Sequence, residues 1–331
     1  MSLPQRIAVT GASGLIGTAL VGHLKSEGHT VQRFVRRPVV APDEIQWDPT
    51  TGFVDLAPLE GVDAVIHLAG AGVGDKRWSA KYRATILNSR LLGTTAIAQA
   101  VAKVQPQVFI SASAIGWYGE TGNRAVVESD RAGDDFLAAV CREWEAAADI
   151  ATDIRVVKIR TGLVLDPTGG ALGRMLPLFR LGLGGKLGNG KQWWSWITLH
   201  DQIRAIAFLL ENKVSGTVNL TSPNPVTNQE FTSALARAMH RPALFPAPAI
   251  ALKIALGGFS SEILGSKKVI YFQEILWVEE HLLFCLVVRQ QQPEQLSSVS
   301  SAYVASEVGR MMQNVVREGT AAQAGLSGLS V

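Results

Sequence analysis

An α/β fold, a doubly wound parallel sheet followed by a smaller C-terminal lobe, is what these 331 residues predict, and three observations carry the prediction. Strand-like apolar runs alternate with amphipathic helical patterns through the first half of the chain. A glycine-rich turn, Thr10-Gly11-Ala12-Ser13-Gly14-Leu15-Ile16-Gly17, joins the first strand to the first helix. The second half changes character and becomes rich in glycine, leucine and tryptophan between residues 169 and 196.

The first strand, residues 7–9, opens straight into the glycine turn. Gly11 permits a tight strand-to-helix reversal, Gly14 lets backbone N–H groups approach a pyrophosphate, and Gly17 allows close packing of the helix. With Ser13, Leu15 and Ile16 they form a phosphate cradle at the positive end of a helix dipole. Leu20, Val21 and Leu24 continue an apolar stripe to a stop at Gly28. The second strand, residues 30–35, ends in Val35-Arg36-Arg37, where a site for a free ribose 2′-hydroxyl would carry an acidic residue. Two guanidinium groups suit a 2′-phosphate by charge and forked geometry, so the expected cofactor is NADP (NADPH). A polar, proline-containing stretch then leads to a buried strand at 62–68. Further along, the pattern places helices at 79–102, 134–148 and 228–239, and strands at 108–110, 155–159 and 217–220.

This order predicts a cofactor-binding domain over residues 1–165, with 200–238 returning to it. Residues 166–199 and 239–270 make a substrate or lid lobe, and residues 271–331 a divergent tail whose composition suggests weak order. Charged residues make up 18% of the chain and its net charge is +3, which gives no field for nucleic acid or a membrane surface. No apolar run approaches the roughly 18–20 residues that span a bilayer. Cys141 and Cys285 form neither a disulfide framework nor a metal site, and a reducing compartment follows. The first strand begins by about Gln5, which leaves no room for a leader segment. A cytoplasmic location is therefore expected, with organelle import by an internal signal left open.

Longer motifs add a resemblance. Thr10 to Gly17, His67-Leu68-Ala69-Gly70, Ser111-Ala112-Ser113-Ala114 and Arg160-Thr161-Gly162 resemble the extended short-chain dehydrogenase/reductase superfamily. Three more stretches narrow it. They are Arg77-Trp78 with Tyr82, Ile86, Ser89-Arg90 and Gly93-Thr94; Trp144-Glu145-Ala146-Ala147; and Leu181-Gly182-Leu183-Gly184-Gly185 through Gly188, Gly190, Gln192, Trp196-Ile197 and Asp201. Together they are similar to the atypical subfamily 39U of nucleoside-diphosphate-sugar epimerase-like proteins, from about residue 5 to about residue 269. The resemblance implies a Rossmann-type fold in which the backbone of Leu68, Ala69 and Gly70 lines the cofactor. A helix carrying Asn88 and Arg90 packs beside it, and Arg90 pairs either with phosphate or with a carboxylate inside the fold.

The resemblance also implies hydride transfer on a small-molecule substrate, a nucleotide-linked sugar or a carbonyl compound. Typical members use a tyrosine with a lysine four residues later, and a serine that bonds the reacting oxygen. Ser113 matches the serine, but Leu137 and Cys141 stand where the tyrosine and lysine belong. Tyr118, beside the end of the strand that carries Ser113, is the substitute proton carrier, or else an aromatic packed on its loop. His67 reads as a core histidine and the tryptophans at 193, 194 and 196 as core or lid packing. The expected function is an NADP(H)-binding oxidoreductase or sugar-nucleotide-epimerase-like enzyme, with a non-catalytic NADP(H)-binding sensor or interaction protein as the alternative.

Overall fold

The structure, a computed structural model, describes residues 3–269, and the expectation about the tail from residue 271 lies outside them. The chain runs β1 (Arg6–Thr10), α1 (Leu15–Ser26), β2 (Thr30–Val35), β3 (Glu44–Asp48), β4 (Phe53–Val54), β5 (Ala64–His67), α2 (Ala80–Val104), β6 (Val108–Ala114), α3 (Phe136–Ala148), β7 (Arg155–Thr161), β8 (Leu163–Asp166) and α4 (Gly170–Arg180). It continues through β9 (Trp193–Trp194), β10 (Trp196–Thr198), α5 (Leu199–Glu211), β11 (Gly216–Leu220), β12 (Val226–Thr227), α6 (Asn228–Ala238), α7 (Ala249–Leu256) and α8 (Phe259–Leu264).

Two compact units result. The first comprises the described residues up to Glu120, Val126–Gly162 and Leu199–Leu220. It holds an eight-stranded sheet in the order β11-β7-β6-β5-β1-β2-β3-β4. All neighbours pair in parallel except β3 and β4. The order reverses between β1 and β5, the switch point at which such sheets bind ligands beyond their carboxyl ends. Register brings those ends level: Thr10 stands beside His67, His67 beside Ser111, and Ser113 beside Arg160. Ile7, Ala8, Val9, Ile66, Phe109 and Ile110 are fully buried, the unbroken apolar runs that a parallel sheet covered on both faces requires. Each large side chain among them stabilises the fold by about 1.5–3 kcal/mol. Leu20 and Leu24 are the buried stripe of α1.

The proline-containing stretch between β2 and β5 is not a plain loop. β3 and β4 extend the sheet by two strands, because Ile45 and Trp47 alternate with Glu44 and Gln46 and both apolar side chains are buried. That period of two is a strand signal, and the flanking prolines and charges mask it.

The second unit comprises Thr121–Ala125, Leu163–Thr198 and the described residues from Thr221. Its core gathers Leu165, Leu172, Leu176, Phe179, Trp196, Val226, Phe231 and Leu235. The returning segment therefore ends at Leu220, short of residue 238: α6 buries Phe231 and Leu235 in this second core. A reciprocal capping box between Thr227 and Glu230 starts α6. The glycine- and leucine-rich stretch contains a regular helix, α4, with Pro177 inside it. The tryptophans pack: Trp196 is buried, the Trp194 ring lies 5.2 Å from Phe231, and Trp193 Nε1 donates to Asn123 Oδ1 at 2.9 Å. Among the described residues no helix is long and apolar enough to cross a membrane.

Candidate functional site

The glycine turn, Val35-Arg36-Arg37 and Leu68-Ala69-Gly70 lie at the carboxyl ends of β1, β2 and β5 in the first unit's sheet. Gly11 has a left-handed φ of +67°, and a Cβ there would fall 2.9 Å from the Leu68 carbonyl carbon. Only glycine therefore closes the turn against the end of β5. A Cβ on Gly17 would fall 2.1 Å from the Gly11 carbonyl oxygen, so the close approach is between helix and turn rather than helix and strand. Helix α1 begins at Leu15 with Gly14 as its N-cap and no side-chain cap. The first-turn N–H groups of Leu15, Ile16 and Gly17 thus have no intrahelical acceptor. Ser13 and Gly14 are exposed beside them.

The end of β5 is tied to the end of β1 by a residue whose role the sequence reading missed. Thr10 Oγ1 lies 2.8 Å from His67 Nδ1 and accepts from the Leu68 and Ala69 backbone N–H groups at 3.0 and 3.2 Å. Both side chains are fully buried, and burial pushes the imidazole down to about 3. The His67 ring also stands edge-on to Trp47. Leu68 and Ala69 are half-buried and Gly70 is exposed.

At the end of β2 the two arginines part. Arg37 makes a forked pair with Glu44, Nη2 to Oε1 at 2.5 Å and Nη1 to Oε2 at 2.9 Å. The Val40 N–H donates to the same carboxylate at 2.9 Å. These contacts hold Glu44 down at about 2, the Arg37 bonds first and the Val40 N–H second. Arg36 is exposed and, among the described residues, makes no hydrogen bond or ion pair. Val35 is half-buried at the same strand end.

Asn88 is exposed on α2, and Arg90 is half-buried. Arg90 Nη1 donates to the Ala71 carbonyl at 2.9 Å and the Ile86 carbonyl at 3.2 Å, and its guanidinium stacks 4.8 Å over the Trp144 ring. It has no carboxylate partner among the described residues, and burial lowers its pKa. Beside Gly70 the guanidinium sits at contact distance.

Ser113 and Tyr118 meet in one buried network. Ser113 Oγ donates to Glu145 Oε1 at 2.6 Å, and Arg160 grips both oxygens of that carboxylate at 2.8 and 2.9 Å. Arg160 Nη1 also donates to Tyr118 Oη at 3.0 Å, and Tyr118 donates to Asn219 Oδ1 at 2.7 Å. The Arg160 guanidinium lies 3.9 Å from the centre of the Trp117 ring. Burial pushes the Tyr118 phenol up to about 12. On α3, Leu137 and Cys141 pack against Gly116, and burial pushes the Cys141 thiol up to about 12 as well. Neither takes over the missing proton chemistry. Arg160 and Glu145 were visible in the motifs, but only their position on neighbouring elements reveals the pair.

A doubly wound sheet with a glycine turn at its switch point defines a Rossmann-type dinucleotide-binding protein. A family model described as the NAD dependent epimerase/dehydratase family matches residues 7–221, and this chain belongs to that family. It is 45% identical to an epimerase family protein from Mycobacterium bovis over 259 residues, 77% of this chain and 86% of the relative. Among solved structures, it is similar to human epimerase family protein SDR39U1 (isoform 2) with NADPH at 34% identity. The TM-score is 0.74, over 80% of this chain and 90% of that one. A nucleoside-diphosphate sugar epimerase from Corynebacterium glutamicum is 31% identical with a TM-score of 0.62, over 96% of this chain and 68% of that one.

Proposed function

We propose that this protein binds NADP(H) and is an oxidoreductase or sugar-nucleotide-epimerase-like enzyme acting on a small polar substrate, a nucleotide-linked sugar or a carbonyl compound. The observation that carries the reading is the cradle at the switch point, where the uncapped start of α1 adjoins side-chain-free backbone at Gly11 and Gly14. A pyrophosphate fits such a place by charge and by space. The NADPH bound by the human relative supports the choice of cofactor, and the Corynebacterium protein supports a sugar nucleotide as substrate class.

In this reading the Leu15, Ile16 and Gly17 amides hold the pyrophosphate, with Ser13 and Gly14 at its edge. Arg36 takes the 2′-phosphate beside Val35, and Arg37 fixes the strand end that presents it. Leu68, Ala69 and Gly70 leave room for the second ribose, and Asn88 and Arg90 flank it. The dinucleotide supplies hydride chemistry when bound. Ser113 gives its one hydrogen to Glu145, so it orients the reacting oxygen by accepting a hydrogen bond from a substrate hydroxyl. Residues of the second unit serve substrate recognition.

The surroundings of Tyr118 oppose proton movement through it. A phenol held near 12 and bonded on both sides keeps its proton at neutral pH. The same observation favours the second reading, a non-catalytic NADP(H)-binding sensor or interaction protein. Thermal shift separates the cofactors: NADPH should raise Tm well above the effect of NADH at equal concentration, and equal shifts would remove the assignment to Arg36. Transfer of label from NADPH into sugar nucleotides or carbonyl compounds decides between the readings. Transfer supports the enzyme, and its absence across both classes leaves the sensor.

A further inference from the structure

His67 is buried, neutral and outside every role so far assigned. Its contacts nevertheless decide what Thr10 does. Thr10 Oγ1 accepts from two backbone N–H groups, those of Leu68 and Ala69, and a hydroxyl oxygen has two lone pairs to offer. Its one hydrogen must then go to the remaining neighbour, His67 Nδ1 at 2.8 Å. If the imidazole donated instead, three donors would crowd one oxygen and the Thr10 hydrogen would be left buried and unused. The ring therefore carries its proton on Nε2, which is buried with no partner among the described residues.

Keeping an unpartnered N–H in a dry interior is unfavourable. A hydrophobic side chain of similar volume would avoid that cost and would pack against Trp47 as well. What it could not do is accept the Thr10 proton. The backbone that this hydroxyl pins is the segment that also meets the glycine turn, since Gly11 abuts the Leu68 carbonyl and the Ala69 nitrogen.

We propose that His67 is a positioning residue for the dinucleotide: by accepting a hydrogen bond from the Thr10 hydroxyl at Nδ1 it frees both Thr10 lone pairs to clamp the Leu68 and Ala69 amides against the glycine turn. The inference rests on the cofactor reading above for its consequence, though the clamp itself exists without ligand. Because the clamp acts on backbone that both dinucleotides share, it sets affinity for NADPH and NADH together and leaves their ratio alone. This separates His67 from Arg36, which acts on the ratio.

The test compares wild type with His67→Leu, His67→Asn and Thr10→Val, each measured for thermal stability, for Kd of NADPH and NADH, and for exchange of the Leu68 and Ala69 amides without cofactor. His67→Leu should weaken both dinucleotides about fivefold, the loss of one hydrogen bond's ordering effect. Its Leu68 and Ala69 amides should exchange faster while Tm stays near the wild-type value, because one buried orphan, the Nε2–H, is exchanged for another, the Thr10 hydroxyl. His67→Asn returns an acceptor near the place of Nδ1 and should restore both affinity and protection. Thr10→Val should reproduce the loss by removing the clamp itself. Unchanged exchange and affinity in His67→Leu, or a loss that only follows a fall in Tm and is not restored by His67→Asn, would overturn the proposal. If wild type binds neither dinucleotide, the cofactor reading fails, and amide exchange still decides whether the clamp exists.

Discussion

Arg36 and Arg37 are adjacent and chemically identical, yet their surroundings give them different work. Glu44 occupies the fork of Arg37, which leaves Arg36 to meet an anion. Arg36→Ala should therefore weaken NADPH about tenfold or more relative to NADH, the scale of a lost charge-assisted contact. Arg37→Ala should leave that ratio near the wild-type value, and titration calorimetry with both dinucleotides reads the difference. Arg37 should show itself in acid instead. Glu44 is held at about 2, below its ordinary 4.5, so its contribution to stability is complete above about pH 4.5 and disappears as the pH falls towards 2. Tm measured across that window should fall in wild type and fall less steeply in Arg37→Ala. At this scale the glycines were legible, because their spacing carries their geometry. The partners were not: nothing in Val35-Arg36-Arg37 says that a carboxylate seven residues later will claim one guanidinium.

The elements show the same division. β1, β2, α2, α3 and β7 were legible from unbroken apolar runs or helical stripes. β3 was hidden by the prolines and charges that flank it, and α4 by its glycines and Pro177. The pairing of α3 with β7 carries a large electrostatic stake, since Glu145 and Arg160 are both buried. Burial opposes the charge on Arg160, and the bonds to Glu145 outweigh it and raise its pKa. Removing one partner strands the other in a low-dielectric interior. Arg160→Met should cost about 3–5 kcal/mol of unfolding free energy, and the double variant Arg160→Met with Glu145→Leu should recover much of it. Urea denaturation measures both. A single variant as stable as wild type would mean that the carboxylate finds water.

Over the whole molecule, alternation of strands and helices was enough to give a doubly wound sheet, because a parallel sheet must bury both faces and return through helices. It did not give the limits of the units. Residues 228–238 form the expected helix, but the choice of core belongs to Phe231 and Leu235, whose partners come from residues far away in sequence. The family match over residues 7–221 agrees with the part of the chain in which the motifs were densest.

By itself, the sequence determined the sheet's class, the glycine turn and the basic end of the second strand, since each follows from short-range spacing and residue type. Only the tertiary structure decided that Arg37 belongs to Glu44, that Ser113 and Tyr118 join one buried network through Arg160, and that His67 governs Thr10. Those choices depend on which neighbours a side chain meets across strands, and parallel register sets that contact only after the chain has folded.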